Sequence, residues 1–111
     1  MSIKPNNIVA AQLTNAAATY YTAPANTKAV LKKLTFTNND TVARTVTVYL
    51  VPSAGTAGVT NILVSARAVA AGDTYDCTEA LGQTLLPAGF IQAFADVASK
   101  VTVNGAVAEV V

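Results

Sequence analysis

Apolar and polar residues alternate with a period of two through most of this chain, the signature of strands with one buried face. The clearest stretch spans residues 28 to 51. Leu34 and Phe36 alternate with Lys33, Thr35 and Thr37. After Asn38-Asn39-Asp40, Val46, Val48 and Leu50 alternate with Thr45, Thr47 and Tyr49. Short polar side chains bond their own backbone and tolerate left-handed conformations, so Asn38-Asn39-Asp40 reads as a turn. The stretch predicts a long antiparallel hairpin. Lys32-Lys33 interrupts its first arm and predicts a bulge or an edge there.

Other elements follow from the same pattern. Residues 8 to 13 and 17 to 22 read as short strands before a turn at Pro24-Ala25-Asn26. Residues 61 to 69 and 74 to 77 read as two more. Residues 79 to 86 suit either a strand or a helical turn. Phe90, Gln92 and Phe94 alternate with Ile91, Ala93 and Ala95 in a further strand. Residues 101 to 103 and 106 to 111 predict a final pair around Asn104-Gly105, a favoured two-residue turn. Gly55, Gly58, Gly72 and Gly89 also fall at predicted turns, where permissive backbone angles explain them. About eight short strands, with turn signals roughly every 8 to 12 residues, predict an all-β, single-domain antiparallel sandwich or barrel. Residues 1 to 7 read as a flexible N-terminal arm and residues 8 to 111 as the domain. Residues 52 to 60 (PSAGTAGVT) read as a flexible, uncharged loop.

Composition narrows the picture. At 111 residues the chain suits one domain and one core. Apolar residues make up 52%, but 22 of them are alanine. Charged residues are only 12%, against roughly 25% in an average soluble domain. Two readings of this shortage stand: another subunit covers part of the surface, or the 15 threonines and 8 asparagines do the solvating. Net charge is +1, and the seven basic residues are scattered. No basic stripe exists for a phosphate backbone, so no nucleic-acid partner is expected. No polybasic amphipathic segment suits a membrane surface, and no stretch approaches the roughly 20 apolar residues of a spanning helix. Residues 1 to 7 (MSIKPNN) lack the apolar core of a signal peptide, so synthesis in a cytoplasm without an export signal is expected.

Candidate chemistry is sparse. The chain has no histidine, the usual group for acid-base work near neutral pH. Cys77 has neither a disulfide partner nor a histidine base, and reads as a small packed apolar residue. Asp73, Asp76 and Glu79 are spaced by three residues and suggest a calcium loop, yet calcium wants six to eight oxygens. The alternative for these acids is a solvated turn. Without tryptophan, they make a poor glycosidase pair. Tyr20, Tyr21, Tyr49 and Tyr75 suit stacking on a sugar or base, or half-buried packing on strands. No phosphate-binding glycine motif occurs. No enzyme, cofactor or metal is expected.

The run TNAAATYYTAPANTKAVLKKLTFTNNDTVARTVTVYLVPSAGTAG, residues 14 to 58, resembles small β-sandwich virion proteins of tailed bacteriophages. Residues 84 to 111 (TLLPAGFIQAFADVASKVTVNGAVAEVV) continue the resemblance. It covers most of the chain and is structural, so no catalytic residue carries over. The resemblance implies a jelly-roll-like sandwich and a capsid cement or decoration protein. Such a protein binds the outer capsid across capsomer junctions as a homo-oligomer, a dimer or trimer, with the major capsid protein as partner. The expected location is the capsid surface of a virion, after synthesis in the host cytoplasm. Uncharged flexible segments can order against a partner, so the expected contact residues are Ile3, Lys4, Pro5, Asn6 and Asn7 of the arm and Ser53, Ala54, Gly55, Thr56, Ala57 and Gly58 of the loop. The alternatives are a tail or fibre accessory protein that binds a receptor or carbohydrate, and a β-sandwich binding module outside viruses.

Overall fold

The structure is a computed structural model that describes residues 2–111. It contains nine strands: β1 (Ile3–Gln12), β2 (Ala18–Thr22), β3 (Lys28–Asn38), β4 (Arg44–Val51), β5 (Ile62–Val69), β6 (Thr74–Asp76), β7 (Thr84–Leu85), β8 (Phe90–Ala95) and β9 (Val101–Val110). A single 3-10 turn, Thr78–Ala80, lies between β6 and β7. All pairings are antiparallel. One sheet has the order β1-β9-β3-β6, and the other β2-β8-β4-β5. Successive strands alternate between the sheets from β1 to β4, and β8 and β9 return to lie between earlier strands. This is jelly-roll connectivity, and the all-β sandwich expectation is borne out.

The sheets have eight lanes, four each, matching the number of strands expected but not every one of them. The two-residue β7 pairs with the first part of β3, and β6 with the last part. Between them Cys77 N donates to Leu34 O, and Gly82 N to Leu31 O. The ambiguous segment 79 to 86 is therefore a turn and a short strand that together complete one lane. The core lies between the sheets. Its largest fully buried side chains include Ile8, Leu13, Leu31, Leu34, Phe36, Val46, Val48 and Ile91. In β8 the inward set is Ile91, Ala93 and Ala95, so Phe90 and Phe94 point outward.

Residues 28 to 51 do not form a hairpin. β3 and β4 lie in different sheets, and residues 39 to 43 carry the chain across the sandwich. A crossing between two facing sheets buries one side of each strand just as a hairpin does, so alternation cannot tell them apart. Asn38 fixes the crossing. Its fully buried side chain donates from Nδ2 to the carbonyls of Val42 and Val69, both at 2.9 Å, and its Oδ1 accepts from Asp40 N at 2.9 Å. The hairpin present is β4-β5, closed by the loop after Val51.

The final predicted pair is likewise one continuous strand, β9. Gly105 sits inside it, opposite Ile8 on one side and Leu34 on the other. A Cβ there would stand 2.4 Å from the Lys33 carbonyl oxygen and 2.9 Å from Ile8 Cδ1. The glycine serves close backbone approach rather than a turn. Both flanking strands are irregular beside it. The β3 register shifts between Leu31 and Lys33, and the β1 register between Ile8 and Ala11. The bulge predicted from Lys32-Lys33 is thus present, on a central strand and not at an edge.

The first strand begins at Ile3 rather than residue 8. Residues 3 to 7, expected as an arm, pair with residues 106 to 110 of β9. Pro5 suits this position because β1 is an edge strand. Polar, exposed side chains along one edge strand look like a tail in sequence, since only one residue of its first half-dozen, Ile8, is buried.

Candidate interaction surface at one end of the sandwich

The strand directions gather the chain ends and three loops at one end of the sandwich. β3 starts there and β4, β2 and β9 finish there. Ser2 and Val111 are paired by two backbone hydrogen bonds, 3.2 Å and 2.9 Å. The loops are residues 23 to 27, 52 to 61 and 86 to 89. The opposite end carries residues 13 to 17, 39 to 43, 70 to 73 and 96 to 100.

The two ends differ in charge and polarity. Asp40, Arg44, Asp73, Asp96 and Lys100 cluster at the opposite end. There Arg44 bonds Asp40 at 2.7 Å and faces Asp96 at 3.6 Å. The Arg44 guanidinium and the Thr41 amide hold the Asp40 carboxyl below its ordinary range. Among the described residues the terminal end has the charged side chains of Lys4, Lys28 and Glu109. It displays Ile3 (62% exposed), Val59 (89%), Leu86 (63%) and Val111 (57%), where the opposite end exposes Val42 (50%). Isolated exposed apolar residues are ordinary, and a group of them at one end makes that end a candidate contact surface.

The expected contact residues fall at this end in two groups. Ile3, Lys4, Pro5, Asn6 and Asn7 lie on β1, at the flank of one sheet. Ser53, Ala54, Gly55, Thr56, Ala57 and Gly58 lie on the β4-β5 loop, toward the opposite flank of the other sheet. The structure brings both groups to one end but not into contact. The loop is shaped by its own bonds. Gly55 N donates to Pro52 O at 2.9 Å, and Asn61 both donates to Thr56 O at 2.9 Å and accepts from Gly58 N at 3.0 Å. This staple holds Val59 out into solvent. Sequence reasoning missed Val59, Leu86 and Val111. The available signal was an apolar residue with no strand partner beside Gly58 or Pro87.

Two adjoining clefts open at the same end. One, of about 410 Å³, is lined by Leu50, Pro52, Thr60, Asn61, Leu63 and Gln83 among others. The other, of about 210 Å³, runs over Val51, Leu85, Leu86 and Gly89. Neither contains an ionisable side chain.

The residues considered for chemistry are occupied elsewhere. Asp76 bonds Lys33 at 3.0 Å on the outer face of the first sheet. Glu79 accepts a hydrogen bond from the Tyr75 hydroxyl and faces Arg67 at 3.9 Å. The Tyr75 bond holds the Glu79 carboxyl below its ordinary value. Asp73 sits at the opposite-end turn, where its carbonyl accepts from Asn38 N. Among the described residues no group of three acids, cysteines or histidines gathers. Cys77 is buried, and burial pushes its thiol up, which leaves it a poor nucleophile.

The tyrosines close the seams between the sheets. Tyr75 of β6 stacks on Phe36 at 6.4 Å between ring centroids, and the Arg67 guanidinium of β5 lies 4.5 Å from the Tyr75 ring centroid. Across the sandwich, Tyr21 of β2 donates to Glu109 of β9, which also accepts from Asn6 at 3.4 Å. Burial, then the carboxylate partner, raises the pKa of both phenols. Tyr20 packs against the core and Tyr49 stacks on Phe94 at 6.2 Å.

No family model matches the chain, and no curated protein matches it. Among solved structures it is similar to a chain of infectious bursal disease virus, Gx strain. Identity there is 14% and the TM-score 0.49, over 98% of this chain and 33% of that one. It is also similar to the VP2 subviral particle of infectious bursal disease virus, with 13% identity and a TM-score of 0.48, over 96% of this chain and 32% of that one. The chain spans about a third of the length of each of these neighbours.

Proposed function

We propose that the chain is a non-enzymatic virion structural protein of a tailed bacteriophage, a cement or decoration protein on the outer capsid. The terminal end is the surface that seats it on the major capsid protein across capsomer junctions. The observation that carries this reading is the contrast between the two ends: four exposed large apolar side chains, Ile3, Val59, Leu86 and Val111, at one, and Val42 beside an ion-paired cluster at the other. The resemblance of residues 14 to 58 and 84 to 111 to phage virion proteins supports the setting. So does the jelly-roll connectivity, which recurs in capsid domains and also in lectins. Many copies, each bound only to the assembled shell, stabilise that shell by linkage.

The test is co-sedimentation of the purified protein with capsids that lack it. Val59→Asp and Leu86→Asp place charge on the terminal end, and Thr41→Ala changes the opposite end. The two aspartate variants should each lose binding at least about tenfold, as expected for an unpaired charge in a contact, with Thr41→Ala unchanged. Equal binding by all three would overturn the placement. The uncharged clefts, with Asn61 and Gln83 in their walls, favour one alternative, a tail or fibre protein that takes a carbohydrate. Saccharide binding lost on Asn61→Ala, with no capsid binding, would establish it.

A further inference from the structure

The two sheets end in four edges: β1 and the β6-β7 lane in one, β2 and β5 in the other. An edge strand shows unpaired N–H and C=O groups on which another strand can add. Three of these edges are short or interrupted. The 3-10 turn splits the β6-β7 lane into pieces of three and two residues. β2 has five residues, with a register shift against β8 between Thr19 and Tyr21. β1 carries Pro5, which has no N–H to offer, and a shift between Ile8 and Ala11. β5 runs for eight residues, opens with Ile62-Leu63-Val64, and has Arg67 as its one charged residue. Residues directly opposite in its ladder share a face. Val48 stands opposite Val64 and Val46 opposite Arg67, so Ser65 and Ala66 together oppose Thr47. Leu63 is a second extra residue, between the pairs Tyr49–Ile62 and Val48–Val64. The β4-β8 ladder, by contrast, runs through six pairs without a shift. Ala66 takes a left-handed φ of 46°, and its N–H donates to the Thr47 hydroxyl at 3.1 Å. Val64 and Val69, an odd number of positions apart, would lie on opposite faces of a regular strand. The bulge at Ser65-Ala66 turns both into the core. It also aims Arg67 inward, opposite the fully buried Val46. From there the guanidinium crosses the seam to the other sheet, 4.5 Å from the Tyr75 ring centroid and 3.9 Å from Glu79.

We propose that the two bulges and the inward Arg67 are a guard on the β5 edge, which keeps a strand of a second copy from adding to it. A bulge bends and twists its strand away from the straight ladder that a new strand needs. A strand laid alongside would also close over the Arg67 guanidinium and strip its water, a cost that the present seam contact does not incur. Thr47 supports the device by holding the Ala66 amide in the bulge. With Pro5 on β1 and the broken β6-β7 lane, the device leaves side-chain surfaces, not strand addition, for contacts between chains. The guard is a property of the sheet and does not rest on the capsid reading.

Sedimentation equilibrium of the full chain and of edge variants tests it apart from any particle. Arg67→Val removes the inward charge and should raise the self-association constant about tenfold or more over the native chain. Arg67→Gln keeps most of the stem over Tyr75 and loses the charge, and should act in the same direction to a smaller extent. Ala68→Lys added to Arg67→Val puts a charge back on the strand and should restore the native level. Lys100→Val makes the same exchange on a loop and should change nothing. The Arg67 side chain is half-exposed, so these variants should fold, as circular dichroism checks. Hydrogen exchange read amide by amide locates the contact. Residues 62 to 69 should gain protection in the associated Arg67→Val chain and not in the native chain at the same concentration. Folded Arg67 variants that associate no more than the native chain would overturn the proposal. So would association matched by Lys100→Val, unmoved by Ala68→Lys, or protecting residues outside β5 alone.

Discussion

Replacing Asn38 by alanine should be among the most damaging single changes in this protein. Asn38 is fully buried and bonds four backbone groups: the carbonyls of Val42 and Val69 at 2.9 Å, that of Ala70 at 3.3 Å, and the amide of Asp40. Truncation takes the Asn38 partner away from all four. A buried backbone group left unpaired costs about 1–3 kcal/mol. The Val69 carbonyl bond is buried and carries most of this cost, whereas the other three groups are half-buried and recover part of it from water. A total of about 3 kcal/mol follows, a large share of the roughly 5–15 kcal/mol of a whole domain. At about 4 °C per kcal/mol for a domain of this size, the melting midpoint should fall by about 12 °C. Asn38→Asp separates bonding from volume. It keeps the acceptor for Asp40 N but sets a carboxylate oxygen against three carbonyl oxygens, so it should be worse than alanine. Urea unfolding followed by far-ultraviolet circular dichroism reads both variants. An alanine variant within about 0.5 kcal/mol of the native chain, the ordinary range for surface changes, would refute the reasoning. An aspartate variant more stable than the alanine one would do the same.

Three further outcomes follow from the packing and the ion pairs. Gly105→Ala should destabilise the fold by about 1–3 kcal/mol, the usual range for overpacking, whereas Gly58→Ala, with nothing nearer than 4.0 Å, should change little in the same urea titration. Asp40 and Glu79 are held below their ordinary values of 3.8 and 4.5, so their contribution is present above those values. It is lost as pH falls through the folded-state values, and the urea midpoint should hold from neutral pH down to that range and then drop. Tyr21 and Tyr75 are shifted upward from 10.0, so the unfolded chain releases those protons first. Stability should decline as pH rises past that value, and the decline should shrink in the Tyr21→Phe and Tyr75→Phe variants.

The sequence reading reached the architecture through local pattern and missed where pattern is silent about partners. Alternation placed Leu34, Phe36, Val46 and Val48 in the core correctly, and Lys32-Lys33 marked a true bulge. The same alternation allowed a β3-β4 hairpin, because period two records which face is buried and not which strand lies alongside. Asn38 was read as turn chemistry, whereas its buried amide organises the crossing. Asn104-Gly105 looked like a turn because glycine permits one. Its actual role depends on Lys33 and Ile8, distant in sequence. Residues 3 to 7 looked like a tail because an edge strand with little buried surface has no apolar rhythm. The candidate contact end was half-legible. The loop at Ser53 to Gly58 stood out by its lack of charge, but Val59, Leu86 and Val111 come to one end only through the topology, which gathers three loops and the chain ends there.

The central claim is that this chain is a shell component of a virion. The most direct measurement is its copy number in purified virus particles, by quantitative mass spectrometry against the major capsid protein. A cement or decoration role predicts copies in a fixed, high ratio to that protein over the whole shell. A handful of copies per particle would move the protein to the tail, and none would contradict the account.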